Sequence, residues 1–149
     1  MKDSLQPGLT FEFSFPISEK YLVPHLLPDS PEFQLMPRVL ATGYMVGLME
    51  WACIKALNPH LHWPREQTVG VHVDLSHTAA TPAGLTVAVK GRLDVMEGRK
   101  LIFSLSAHDG VDEISRGRHE RYIIMADSFN ARAEAKRRRA AGAGAAREK

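Results

Sequence analysis

The chain has 149 residues, 44% hydrophobic and 24% charged, the size and mix of one soluble globular domain. Its net charge is +2 and its isoelectric point about 8.8, but residues 131–149 carry seven Lys/Arg against two Glu, so a net of +5 sits there and −3 remains on residues 1–130. The body therefore gives no charge argument for nucleic acid, and the single cysteine, Cys53, excludes an internal disulfide framework.

No leader peptide is visible at the N-terminus. The longest apolar stretch, 39–54, contains Thr42 and Glu50 and falls short of a membrane span. The expectation is a cytoplasmic protein with no membrane or nucleic-acid partner. Its body is residues 1–130. The basic Ala/Gly-rich tail, 131–149, is expected to be solvated, flexible and at most partly helical.

Thr10 to Phe15 alternates apolar and polar, the period of a half-buried strand ended by Pro16. Pro24, Pro28, Pro31 and Pro37 then punctuate a segment that should form neither regular helix nor central strand. Its apolar residues, Phe33, Leu35 and Met36 among them, suggest a packed loop of the kind that covers active sites. Val39 to Leu57 reads as one long helix stopped by Asn58-Pro59. It is apolar nearly all round, which implies burial on most sides. Gly43 and Gly47 share one of its faces and leave room for another backbone.

Four strand-like runs follow, over 68–76, 85–95, 100–108 and 112–125. Glu97-Gly98 and Asp109-Gly110 are hairpin signals, so the last three strands form an antiparallel meander. The order predicts an α+β fold, an antiparallel sheet wrapped around one long central helix. An uncovered edge or face makes dimerisation a natural completion.

Glu50 is the sharpest chemical signal. It is the one acid between Glu32 and Glu66, set among Met45, Val46, Leu48, Met49 and Trp51. A carboxylate there must be paired, protonated or on a solvent-facing stripe. Thr42, near the helix start, is either a capping hydroxyl or a nucleophile helped by helix amides. On one straight helix Thr42 and Glu50 lie about 12 Å apart along the axis, so they can meet only through a third group or a second subunit. His77, just past a strand end, is a candidate third group, or a surface histidine.

The other histidines carry less. His60 and His62 lack partners at metal-site spacing, His72 and His108 are strand positions, and His119 reads as the exposed half of an alternating strand. Cys53 reads as a buried apolar residue. No metal site and no phosphate or dinucleotide loop is present.

The run Ala41-Thr42-Gly43-Tyr44-Met45-Val46-Gly47-Leu48-Met49-Glu50-Trp51-Ala52-Cys53 closely resembles the helix of the fluoroacetyl-CoA thioesterase family, a branch of the hotdog-fold thioesterases. Ser76-His77-Thr78-Ala79-Ala80, Pro82-Ala83-Gly84-Leu85-Thr86-Val87, Ser106 to Ile114 and His119-Glu120-Arg121 share the likeness, which covers about residues 1–130.

The resemblance implies hydrolysis of a short-chain acyl-CoA at a homodimer interface. Coenzyme A is then part of the substrate, and no cofactor is needed. Catalysis would fall to Thr42, Glu50 and His77. Gly70 would lie beside the acyl group, and Phe33 and Met36 would belong to a lid. Met36 stands where the fluoroacetyl-specific enzyme has a second phenylalanine, and a flexible thioether gates a pocket differently from a ring. Arg116, Arg118 and Arg121 are the arginines considered for CoA phosphates. Alternation puts Arg121 on the opposite face from the other two. A broader short-chain thioesterase and a non-catalytic acyl-CoA-binding hotdog protein are the competing readings.

Overall fold

In the computed structural model, described over residues 1–145, five strands form a single antiparallel sheet. They are β1 (Thr10–Pro16), β2 (Glu66–Leu75), β3 (Thr86–Glu97), β4 (Lys100–His108) and β5 (Glu113–Met125), in the order β1-β3-β4-β5-β2. The meander β3-β4-β5 is central, and the first two strands lie at opposite edges. Gly98 and Gly110 adopt positive φ (61° and 96°) at the predicted hairpins.

The proline-punctuated segment does contain helix. Single turns α1 (Val23–Leu26) and α2 (Pro31–Gln34) each carry a proline in the first two positions, where the missing N–H has no intrahelical partner to lose. The Ser30 hydroxyl caps α2 by accepting from the Phe33 amide.

The long helix α3 spans Thr42–Leu57 and begins three residues later than the apolar run. Residues 39–41 stay extended because their backbones are committed elsewhere. Val39 accepts from Val23, Leu40 donates to Thr81 and Ala41 donates to Tyr21. Met45, Leu48, Met49, Ala52, Cys53, Ala56 and Leu57 form the buried face of α3. Packed in the same core are Val87, Val89, Leu93, Leu101, Phe103, Leu105, Ile114 and Ile123.

Each buried residue of this size contributes about 1.5–3 kcal/mol, so the α3–sheet core holds the body together. One stripe, Gly43, Gly47, Trp51 and Lys55, is open, with Trp51 46% exposed, while the remaining sides of α3 are mostly buried or half-buried. A Cβ at Gly43 would meet the Leu26 side chain at 3.0 Å, and Gly47 has nothing within 4 Å. A side chain of α1, not another backbone, takes the space at Gly43.

Two edges differ from simple alternation. On β2, Val71 and Val73 are 54% and 42% exposed, with a register shift between Gly70 and His72. At the other end of the chain, α4 (Ala126–Ala145) follows β5 directly and runs through residue 130. Glu134 pairs with Arg137 and Arg138 on it. Arg147, Glu148 and Lys149 lie outside the described residues.

Candidate active site

Thr42 is the first residue of α3, behind an N-cap, Ala41, that has no side chain to satisfy the free amides. The first helical hydrogen bond is made by the Met45 amide, so the amides of the opening turn point outward unpaired. The Thr42 hydroxyl does not cap them. Its Oγ1 lies 2.8 Å from Nδ1 of His77.

His77 reaches it because β2 ends at Leu75 and the next residues peel away, tied by Ser76 and Thr78 to Arg116 and Ile114. A groove of about 320 Å³ runs past this pair, walled by Val23, Val39, Leu40 and Ala79. Burial pushes the His77 imidazole below its ordinary value, against a smaller opposite push from the Ala79 backbone. It is therefore neutral at pH 7 and able to take a proton. Its Nε2 is buried without a partner among the described residues.

Glu50 is not at this pair. Its side chain is 34% exposed, and Oε2 accepts from Nη1 of Arg121 at 3.0 Å. Arg121 itself is 1% exposed. Its Nε donates to Thr68 Oγ1 at 3.0 Å, Nη2 to the Thr68 carbonyl at 2.9 Å, and Nη1 also faces Nε2 of His119 at 3.1 Å. The apolar helix tolerates its one acid because a buried guanidinium faces it. Arg121 is thus engaged with Thr68 and Glu50 inside the fold. Arg116 and Arg118 are on the opposite, exposed face as alternation required, paired with Glu113 and Glu120.

Gly70 lies over this cluster. A Cβ there would sit 3.2 Å from both Glu50 oxygens and from Cε1 of His119, closer than a relaxed contact allows. Phe33 is half-buried on α2, and Met36, two residues past α2, is 51% exposed.

His119 corrects the sequence reading. It is 0% exposed, because its parity on β5 is that of Arg121 and Ile123 and it turns toward α3. Ser115 shares this face and bonds to the Met49 sulfur. The signal that finds His119 is Glu50. A half-buried acid on the apolar α3 demands a cation, Arg121 is the inward cation on β5, and His119 is its same-face neighbour two residues before.

Cys53 is buried and its thiol is pushed up to about 12, mainly by burial, which leaves it unreactive. Among the described residues no group of three metal-ligating side chains gathers, and no helix is long and apolar enough to cross a membrane.

Residues 29–127 match the model of a family described as fluoroacetyl-CoA-specific thioesterase. The fluoroacetyl-CoA thioesterase of Streptantibioticus cattleyicolor is 50% identical over 136 residues, 91% of this chain and 97% of that protein. A solved structure of a fluoroacetyl-CoA thioesterase superposes with a TM-score of 0.87 at 49% identity, covering 90% of this chain and 98% of the other. A threonine-to-serine variant of that enzyme was solved with acetyl-CoA. A Thermus thermophilus protein described as a thioesterase superfamily member superposes at 0.81 with 25% identity, over 94% of this chain and 98% of that one. The architecture is the hotdog fold.

Proposed function

The chain belongs to the fluoroacetyl-CoA-specific thioesterase family and is a thioester hydrolase, and from that premise we propose that it releases CoA from a short-chain acyl-CoA, fluoroacetyl-CoA first among them. The observation that carries this reading is the 2.8 Å approach of Thr42 Oγ1 to His77 Nδ1 at the start of α3. A hydroxyl, a neutral base and free helix amides are the three parts an acyl transfer needs.

In this mechanism His77 Nδ1 takes the Thr42 proton as Oγ1 attacks the thioester carbonyl. Amides of the first turn of α3 hold the developing oxyanion, each worth about 3 kcal/mol in comparable sites. The carbon–sulfur bond breaks, the CoA thiolate takes the proton from His77, and an acyl-Thr42 ester remains. Water, deprotonated by His77, then releases the acid and restores Thr42.

The site is proposed to be completed in a homodimer. Edge strand β2 presents Val71 and Val73 to solvent, and an open apolar edge pairs readily with another strand. Glu50 and the Thr42–His77 pair do not meet within one subunit, so a second copy supplies the carboxylate's role at the pair. Phe33, Met36 and Gly70 are proposed to bound the acyl group. Coenzyme A enters as substrate, no cofactor takes part, and the protein works in the cytoplasm.

The test is thiol release from fluoroacetyl-CoA, acetyl-CoA and propionyl-CoA. Thr42→Ala and His77→Ala should each lower kcat by about a thousandfold, the scale on which acyl-transfer groups act, and mass spectrometry of a quenched reaction should find acylated Thr42. Turnover near wild type in both variants overturns the assignment. Turnover without acyl-Thr42 transfers the attack to water. Met36 favours a second reading, hydrolysis without fluorine selectivity; equal kcat/KM for fluoroacetyl-CoA and acetyl-CoA would establish it.

A further inference from the structure

Both ring nitrogens of His119 are engaged, and their partners fix its protonation. Nδ1 lies 2.8 Å from the His72 carbonyl oxygen, which can only accept, so Nδ1 carries the proton. Nε2 lies 3.1 Å from Nη1 of Arg121, which can only donate, so Nε2 offers a lone pair. The ring is neutral in one defined tautomer. The same Nη1 donates to Glu50, so the imidazole and the carboxylate share one guanidinium nitrogen. We propose that His119 is a positioning residue of the reaction: as the neutral Nδ1–H tautomer it aims Arg121, and through it Glu50, beneath Gly70, and its protonation undoes that aim.

Geometry alone requires the second half. A proton on Nε2 would point at the N–H of Nη1 across 3.1 Å, with two positive charges in a space where His119 is 0% and Arg121 1% exposed. Arg121 would keep its two bonds to Thr68 but lose one of the two acceptors that orient Nη1, and Glu50, the other, would move with it.

The charged and titratable groups facing the ring are Arg121 on β5, Glu50 on α3 and His72 on β2. Cys53 on α3 stays a neutral thiol. Burial first, then the positive charges of Arg121 and His72, hold His119 below its ordinary value, against the His72 carbonyl and the charge of Glu50, which favour the proton. The switch therefore acts on the acid side of neutrality, and the inference rests on the thioesterase reading above.

The experiment measures kcat and KM against pH for the full chain, His119→Gln and His119→Phe. Glutamine keeps an oxygen to accept from Arg121 and does not titrate; phenylalanine fills the space and accepts nothing. His119→Phe should lower kcat about ten- to a hundredfold at pH 7, the cost of mispositioning a group in a site, with KM little changed, and His119→Gln should recover most of the loss.

In wild type, log kcat should fall more steeply than slope one across the titration of His119, by the roughly ten- to a hundredfold that the lost aim costs, whereas in His119→Gln the acid limb keeps the slope of one set by His77. Superimposable acid limbs, or equal kcat in the Gln and Phe variants, overturn the proposal. Should a variant fail to fold, ¹⁵N NMR of the wild-type rings decides. A protonated Nδ1 that titrates together with the Arg121 side-chain signal supports the proposal, and the opposite tautomer sinks it. The NMR result is independent of turnover, so loss of the thioesterase reading and loss of the His119 lock are told apart.

Discussion

Replacing Glu50 by leucine should cost more than its single hydrogen bond suggests. Glu50 and Arg121 are 3.0 Å apart. At an effective dielectric of 20 that separation corresponds to about 5.5 kcal/mol of attraction. The Glu50 side chain is 34% exposed, so water screens part of it. The loss lies at the low end of the range for breaking a buried pair, about 3 kcal/mol.

Most of that loss is the stranded charge of Arg121, which is 1% exposed and tied to Thr68, so it has no route to water. A second substitution should therefore repair the first. In Glu50→Leu/Arg121→Met no charge is left buried, and we expect recovery of about 1.5 kcal/mol, although the bonds to Thr68 and His119 are gone. Urea unfolding at one fixed protein concentration measures both. The melting temperature should fall by about 9 °C in the single variant and regain about half in the double. If the double variant is no more stable than Glu50→Leu alone, the charge is not what is being stranded and the reasoning fails.

Three further outcomes are expected. Gly70→Ala should fold normally, because the position lies on an open strand, yet lose about tenfold or more in kcat as the new Cβ displaces Glu50 and His119 from 3.2 Å; unchanged turnover would mean that the cluster is slack. Cys53 should resist a disulfide reagent in the native protein and label only in urea, since its thiol is buried and pushed up to about 12.

Asp109 is pushed up by burial, but the amides of Asp112 and Val111 and the Thr81 hydroxyl outweigh that and hold its carboxyl below the ordinary value. Its folded value being the lower, its stabilisation is full above the unfolded value and disappears as pH falls through the folded one. Asp109→Asn should therefore be less stable than wild type at pH 7, with the gap closing below about pH 4. A constant gap in urea titrations at both pH values would contradict this.

Much of the fold was legible because periodicity is a local property. The strand alternations, the two Gly-marked hairpins and the apolar run of α3 each follow from neighbours a few residues away. The start of α3 was not, since Val39 to Ala41 are held extended by Val23, Thr81 and Tyr21, partners that no local pattern names. Thr42, Glu50 and His77 stood out by residue type and by resemblance. That Thr42 and His77 touch while Glu50 turns to Arg121 depends on which face of β5 looks at the helix. His119 was misread for the same reason. Polar residues fill both faces of Arg116 to Arg121, so alternation gives parity but not direction; only the charge demand of Glu50 identifies the inner face.

The strand order β1-β3-β4-β5-β2 also sets a timetable for synthesis. Helix α3 is complete at Leu57, but the meander that covers it ends at Met125. At ordinary translation rates that gap lasts roughly 3–14 s. Until Glu97 is made β1 has no partner strand, β2 waits for β5 to the end of the gap, and Met45, Leu48, Met49 and Cys53 lie against an incomplete sheet throughout. Nascent chains should therefore be most vulnerable to aggregation, and most dependent on chaperones, between the emergence of α3 and that of β5.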